Sequence, residues 1–393
     1  MRPKVLDLFC GVGGFSLGME QAGFDVVGAV EYDPQHAGTH LYNFPLTTTY
    51  CKSVSDFTRH DLPTEIEIDV IIGGPPCQGF SQGGLRNVND SRNNLILEFM
   101  RVVEQMQPKY FVIENVPALI YSDYLTAIQT TAERAGYDCY YQKLNAINFG
   151  VSQDRVRVFI VGVRGDRKFD YPQPTTTGDR LSILLPPAPT VGECLAGLPI
   201  IENYDQLFCT DKINWHHSPE ENFYYGYRRL VPPALSGNQR TRHSPEVVER
   251  FKNTKPGDRE PVSRFYKLDP AGYARTLRAG TGRERGTHTA PRPIHPLLNR
   301  CITVREGARL MGYPDWFRFG ASISTGFRQV GNSVAPPVAR AIGAEILKSM
   351  GIIPTSPERA IALSKDFLLD HNLTTASQYF NVPGDRIPPR RTA

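Results

Sequence analysis

No run of eighteen or more apolar residues occurs in this sequence, so no transmembrane helix is expected. No Cys-x-x-Cys pair occurs either. The seven cysteines (Cys10, Cys51, Cys77, Cys139, Cys194, Cys209 and Cys301) are odd in number and widely spaced, which argues against both a zinc site and a disulfide framework. That usage points to a reducing, cytoplasmic compartment. A signal peptide is not expected: Met1-Arg2-Pro3-Lys4 leads straight into the short apolar pair Val5-Leu6, with no small-residue cleavage site behind it. No internal repeat is found. What remains is an ordinary globular composition, 40% hydrophobic, 21% charged and 10% aromatic, in 393 residues, enough for two unequal lobes.

Charge of one sign is scarce in one region. Residues 228–309 hold 18 Lys and Arg against 7 Asp and Glu, a local net of +11, which leaves the rest of the chain at −7. Such segregation suits a basic lobe facing a polyanion, and its arginines suit phosphate and guanine. A basic surface without a partner is the plainer alternative.

Along the first 165 residues, strand-like and helix-like segments alternate. Lys4–Phe9, Val26–Val30, Val70–Ile72, Tyr110–Ile113 and Arg157–Val163 read as buried strands. Phe15–Ala22, Leu95–Met106 and Tyr124–Ala135 read as helices between them. Continuous apolar strands with intervening helices predict an α/β class: a doubly wound, mostly parallel sheet covered on both faces. The character changes near Tyr171, where a Pro- and Thr-rich linker begins. From there to about Gly320 the chain is Pro-, Gly- and Arg-rich, which predicts a smaller, irregular or β-rich domain. Pro337–Met350 returns to a helix, and Pro357–His371 reads as another. The expected division is 1–177 for the first part of the catalytic domain, 178–319 for the second domain, 320–350 for a return segment and 351–393 for a C-terminal extension.

Four motifs sit at strand ends. Asp7-Leu8-Phe9-Cys10-Gly11-Val12-Gly13-Gly14-Phe15 joins a strand to a helix, where glycines let a ligand approach the backbone beside a helix N-terminus. Glu31 ends the next strand, placed for a ribose hydroxyl. A simple tight turn would look the same. More selective is Gly73-Gly74-Pro75-Pro76-Cys77-Gln78-Gly79-Phe80-Ser81, in which two prolines fix the approach to a thiol and glycines beyond it permit a mobile loop. A lone cysteine is more often a small buried hydrophobe, the reading that suits Cys51, Cys139, Cys194, Cys209 and Cys301. Glu114-Asn115-Val116-Pro117 brings a carboxylate to the same crevice, either a proton donor or a salt-bridged glutamate. In Gln153-Asp154-Arg155-Val156-Arg157 the two arginines alternate by two and so share a face, for a phosphate, a base oxygen or solvent.

In this order the segments resemble the DNA (cytosine-5)-methyltransferases over Lys4 to Met350. Two later blocks carry the resemblance further: Arg300–Glu306 leading to Leu310-Met311-Gly312-Tyr313-Pro314, and Gln329–Pro337. Tyr32 and Met311 depart from the residues most frequent there, both conservatively. The resemblance implies the S-adenosylmethionine-dependent methyltransferase fold, with no metal. It implies attack by the Cys77 thiolate on carbon 6 of cytosine, proton donation to nitrogen 3 by Glu114, and a bond from Arg155 to the base oxygen, with Arg157 beside it. Methyl transfer to carbon 5 follows, then loss of its proton and release of the thiol. The base must leave the duplex to be reached, and residues 79–94 would close over it.

For the cofactor the resemblance implies Phe9, Gly11, Gly13, Gly14, Glu31, Tyr32, Asp56, Phe57, Pro76, Leu95, Asn332, Ser333 and Val334, with Phe9 against the adenine and Asp56 on its amine. For DNA it implies Ser81 and Gln82 from the loop, and Arg275, Arg278, Arg283 and Arg285 from the 178–319 lobe. The expected partner is double-stranded DNA, the expected state a monomer, and the expected role the protective half of a restriction system. Methylation of tRNA cytosine and a non-catalytic DNA-binding regulator stay open as alternatives. A variable lobe of about 140 residues favours sequence reading in DNA. Thr374–Ile387 faintly resembles a helix-turn-helix fragment, cut short by Pro388-Pro389.

Overall fold

A computed structural model describes residues 2–76, 94–215, 223–279, 292–384 and 386. The strands β1 (Lys4–Leu8), β2 (Asp25–Glu31), β3 (Thr48–Cys51), β4 (Val70–Gly73), β5 (Tyr110–Asn115), β6 (Tyr137–Asn145), β7 (Gln153–Asp154) and β8 (Val156–Arg164) follow one another along the first 164 residues. Seven of them form one sheet in the order β3-β2-β1-β4-β5-β8-β6. The first five in that order run parallel, while β8 is antiparallel to both of its neighbours.

Alternate residues of each central strand feed two different cores. Val5, Val70, Ile72, Tyr110 and Val112 enter one, and Leu6, Leu8, Ile71, Phe111 and Ile113 enter the other. This is why the strands read as unbroken apolar runs. Helices α1 (Gly14–Ala22) and α9 (Pro336–Ser349) cover the first face; α3 (Asn94–Met106) and α4 (Asp123–Arg134) cover the second. The two chain ends meet closely: a Cβ at Gly18 would lie 2.4 Å from the Ala339 Cβ. The strand order reverses between β1 and β4, and in open α/β sheets the crevice outside that point holds the ligand.

The predicted strands and helices up to residue 164 are present, displaced by a residue or two at their ends. Four of the numbered elements are additional: α2 (Pro34–Asn43), β3, β6 and the two-residue β7. The lobe beyond residue 170 is irregular, with short helices α5 (Val191–Leu195) and α6 (Pro245–Asn253), two-residue strands, and small cores such as Ile201, Leu207, Ile213 and Leu235. Its boundary differs from the expected one. Residues 304–319, including α7 (Val304–Leu310), belong to the main core, where Phe317 meets Phe44 with ring centroids 6.0 Å apart. The apolar content of that stretch, not its arginines, decides where it packs. The return segment continues through α8 (Ile323–Asn332) into α9.

The extension differs as well. The expected helix over 357–371 is instead a two-residue strand, Ile361–Ala362, beside Arg229–Leu230, followed by the short α10 (Phe367–Asp370) and α11 (Leu373–Tyr379). Leu368 and Leu369 pack with Tyr42 of α2, and the Tyr42 hydroxyl donates to Asp366 Oδ1 at 2.8 Å. Ala376 and Ser377 of α11 are buried, so the stretch likened to a helix-turn-helix covers the catalytic domain.

Candidate active site

Strand β1 delivers the chain into a tight turn. Phe9, Gly11 and Gly13 all have positive φ (60°, 56° and 96°), and Gly13 caps α1. Phe9 is a side chain in a conformation that normally favours glycine. Gly14 has no alternative: a Cβ there would lie 2.4 Å from the Val334 carbonyl and 2.5 Å from the Tyr313 hydroxyl. The glycine turn is therefore pressed onto the return segment, so both chain ends meet at these strand tips.

Glu31 ends β2 against this turn. Its Oε2 accepts from the Gly11 amide at 2.9 Å and its Oε1 from the Asp33 amide at 2.8 Å. Burial pushes this carboxyl up, and His36 and the two amides oppose that. Each oxygen keeps a lone pair, so the carboxylate suits a vicinal diol. Asp56 is exposed at the end of a short 3-10 turn, Val54–Asp56. Tyr32 is 43% exposed beside Glu31. Arg386 of the extension lies over that ring at 5.2 Å and donates to the Cys51 carbonyl at 3.1 Å.

Two other expected cofactor residues have side chains held by the protein itself. The Phe57 ring is fully buried in the core against Tyr50, so its side chain does not line the pocket. The Ser333 hydroxyl donates to the Gln329 carbonyl at 2.7 Å and accepts from Tyr313 at 2.8 Å. Val334 is buried, Asn332 is exposed at the end of α8, and Leu95 and Pro76 are half-buried. Behind the pocket lies a group the sequence reading missed. Asp7 of β1 accepts from Ser16 at 2.6 Å, its other oxygen has no partner, and burial pushes its carboxyl up to about 7.

At the neighbouring strand tips, β4 ends at Gly73, where a Cβ would meet the Leu8 carbonyl at 2.3 Å. The chain then runs through Pro75, whose carbonyl accepts from Asn115 Nδ2 of β5 at 3.0 Å. This bond fixes the approach to Cys77, and it gives Asn115 a role that the sequence reading did not assign. Cys77, Ser81, Gln82, Arg283 and Arg285 lie outside the described residues.

Glu114 is the buried residue before Asn115, 8% exposed. Arg157 of β8 approaches its Oε1 at 3.1 Å, an ion pair out of line for a hydrogen bond. Burial pushes the Glu114 carboxyl above the usual range, more than Arg157 and then Arg155 pull it down. A carboxyl held this way keeps its proton at higher pH than a surface glutamate.

The two arginines divide differently from the expectation. Arg155 was expected to bond the base oxygen. It is 4% exposed, and its terminal nitrogens donate to three carbonyls: Leu277 at 3.1 Å, Gly331 at 3.2 Å and Ser333 at 2.9 Å. It falls in the break between β7 and β8, so it does not follow the two-residue alternation. Arg157, inside β8, is the arginine that meets Glu114.

Beside this seam the strand Ala274–Arg275 pairs in parallel with β7, and the Leu277 amide donates to Gln153 Oε1 at 3.1 Å. A Cβ at Gly331 would lie 2.4 Å from the Arg278 and Ala279 backbone. Arg275 and Arg278 are both exposed. Among the described residues no cluster of His, Cys, Asp and Glu has metal-binding geometry, and no helix is long and apolar enough to cross a membrane.

Comparison with known proteins gives consistent results. The family described as C-5 cytosine-specific DNA methylase matches residues 3–348. A Type II methyltransferase, M.XorII of Xanthomonas oryzae pv. oryzae, is 42% identical over 99% of this chain and 97% of its own length. M1.HphI of Haemophilus parahaemolyticus is 32% identical over 88% of this chain and 87% of its own. Among solved structures, a chain assigned as a prophage-encoded DNA modification methyltransferase of E. coli superposes with TM-score 0.73 at 34% identity, covering 89% of this chain and 99% of its own. A Dnmt2 methyltransferase of S. pombe superposes at 0.59 with 16% identity, over 89% of this chain and 99% of its own, and shares the fold.

Proposed function

Because the chain belongs to the C-5 cytosine-specific DNA methylase family, we propose that it methylates one cytosine within a specific duplex sequence, with Cys77 as nucleophile and Glu114 and Arg157 around the base. The observation that carries this reading is the Glu114–Arg157 pair at 3.1 Å, buried at the tip of β5 beside the Pro75–Asn115 bond that leads to Cys77. The Cys77 thiolate attacks carbon 6. Glu114, whose proton is retained by burial, gives it to nitrogen 3 and so stabilises the enamine. Arg157 keeps free donors that suit the base oxygen, while Arg155 holds the wall of the chamber.

The family uses S-adenosylmethionine, which supplies the methyl group. The residues fit it: the left-handed glycine turn leaves open space at Gly11, Glu31 suits the ribose diol, and Asp56 suits the adenine amine. Tyr32 and Phe9 flank the adenine side. Ser81 and Gln82, in the loop after Cys77, and the arginines Arg275, Arg278, Arg283 and Arg285 contact the DNA. One chain contributes both halves of the site, which supports a monomer, and the likeness to bacterial Type II methyltransferases supports action in the cytoplasm. By likeness to the Type II methyltransferases, its role is protection of host DNA beside a restriction endonuclease. No observation favours tRNA as the substrate.

The test is transfer of tritium from labelled cofactor to duplex DNA and, separately, to tRNA. Label should enter duplex DNA alone, and Cys77→Ala should abolish it. Equal labelling by Cys77→Ala would overturn the mechanism. Bisulfite sequencing of DNA from expressing cells then reads which cytosine is modified.

A further inference from the structure

Two sets stand out among the described arginines of the basic 228–309 stretch. One group is neutralised. Arg229 pairs with Glu20 at 2.8 Å, Arg250 with Glu260 at 3.1 Å, Arg300 with Glu202 at 2.6 Å and Arg309 with Asp315 at 2.5 Å. These pairs serve the fold: Arg229 ties the lobe to Glu20 of α1, and Arg309 braces α7. The other group rests on aromatic rings, and among the described residues no carboxylate lies within ion-pair distance of it.

Arg259 and Arg275 form the best-defined case. Their guanidiniums lie 4.5 and 3.8 Å from the Tyr266 ring centroid, and each donates to the Tyr266 hydroxyl oxygen at 2.6 Å. Arg259 and Tyr266 face each other across an antiparallel bridge, so a hairpin sets their spacing. Both arginines are exposed. Arg240 and Arg242 repeat the arrangement on Phe208, at 4.3 and 4.5 Å.

Two cations sharing one acceptor oxygen repel each other, by about 1 kcal/mol at 4 Å in water and more where water is excluded. A fold that merely needed cover for Tyr266 would not bring both there without a counter-charge. The ring orients each planar fork and leaves its charge intact, with four of five N–H donors unspent. Two forks converging on one point suit the two free oxygens of a phosphodiester, whereas a guanine edge takes a single fork. The location fits as well. Arg275 lies in the strand paired with β7, next to Arg155, and two residues before the Leu277 carbonyl that Arg155 holds.

We propose that Arg259 and Arg275, spread by Tyr266, clamp one backbone phosphate beside the target cytosine and supply affinity and placement without base preference. The proposal rests on the reading of duplex DNA as substrate. Neither Arg259 nor Tyr266 stood out in the sequence.

The test is equilibrium binding of a fluorescein-labelled 30-base-pair duplex of mixed sequence to the full chain over a range of salt. One phosphate contact contributes about 0.9 to the slope of log K against log salt. Arg259→Gln/Arg275→Gln should lower that slope by about 0.9 or more and weaken binding roughly tenfold at low salt. Tyr266→Phe, which keeps the ring but not the shared oxygen, should weaken binding less and in the same direction. Arg309→Gln, from the neutralised group, should lower the melting temperature and leave the slope alone. A methylphosphonate scan of the duplex should find one position where the wild type weakens and the double variant does not. An unchanged slope in the double variant, or an altered bisulfite pattern with the slope unchanged, would overturn the clamp. Failure of the wild type to bind duplex DNA would instead overturn the substrate reading.

Discussion

Two arginines separated by one residue do different work, and both roles are open to test. Arg155 spends its terminal nitrogens on backbone carbonyls, so Arg155→Met leaves three buried acceptors short and should cost about 2–5 kcal/mol of stability by chemical denaturation. Arg157 instead lowers the proton affinity of Glu114. With Glu114 in the proposed role of acid and its carboxyl raised, turnover should fall on the alkaline side as that proton is lost. Arg157→Met should move that alkaline limb to higher pH, because it removes the cation that favours the carboxylate. A limb that stays in place would disconnect Glu114 from the rate. Glu114→Gln should abolish the limb and slow single-turnover methylation by roughly 10²-fold or more.

Asp7 gives a stability signature of opposite use. Its folded carboxyl sits at about 7 against the usual 3.8. The folded state therefore holds a proton that the unfolded state has lost. This contribution is complete below 3.8 and is lost as pH rises through about 7, at most about 4 kcal/mol. Asp7→Asn should flatten melting temperature against pH across that window. The sequence showed Asp7 only as the first letter of a motif; nothing in the string reveals that its second oxygen has no partner.

At the scale of elements, the strands legible in the sequence are those buried on both faces. The edge strands were not legible. β3 (Thr-Thr-Tyr-Cys) and β6 (Tyr-Asp-Cys-Tyr-Tyr-Gln-Lys-Leu-Asn) are partly exposed and carry no apolar run. Helix α2 was hidden for another reason: its buried face includes His36, Thr39, His40 and Asn43, so no apolar period marks it. Asn43 shows the cause, since its side chain donates to the carbonyls of Thr39 and Arg318, each at 2.9 Å. The glycine turn was legible as a motif, but the part of the chain it touches was not. Gly14→Ala must displace Val334 or Tyr313, and should cost about 1–3 kcal/mol and weaken binding of S-adenosylhomocysteine by calorimetry.

For the whole molecule, the family likeness implied that both chain ends build one domain; in the structure α1 and α9 pack against each other in one core. The extension was misread, because Pro357–His371 has helix-compatible residues whose apolar members are claimed by α2. Deleting residues 357–393 uncovers Tyr42, now 2% exposed, and removes Leu368 and Leu369 from its side. A loss of roughly 3–6 kcal/mol should follow from that burial. Loss of Arg386 from the Tyr32 ring should also raise the dissociation constant for S-adenosylhomocysteine. If neither changes, the extension is not part of the catalytic body.

The Arg155 seam has one more consequence. It fastens the segment leading out of the recognition lobe to the catalytic body by gripping only main-chain oxygens, which every amino acid possesses. The joint is therefore indifferent to the side chains at those positions. Only the spacing of the backbone and the absence of a side chain at Gly331 constrain it. A lobe of different sequence, and so of different DNA preference, could be exchanged across this joint with the chamber wall intact. Hybrids that keep 152–157, 274–279 and 329–334 together should fold and methylate, while those cut inside any of these segments should lose the wall.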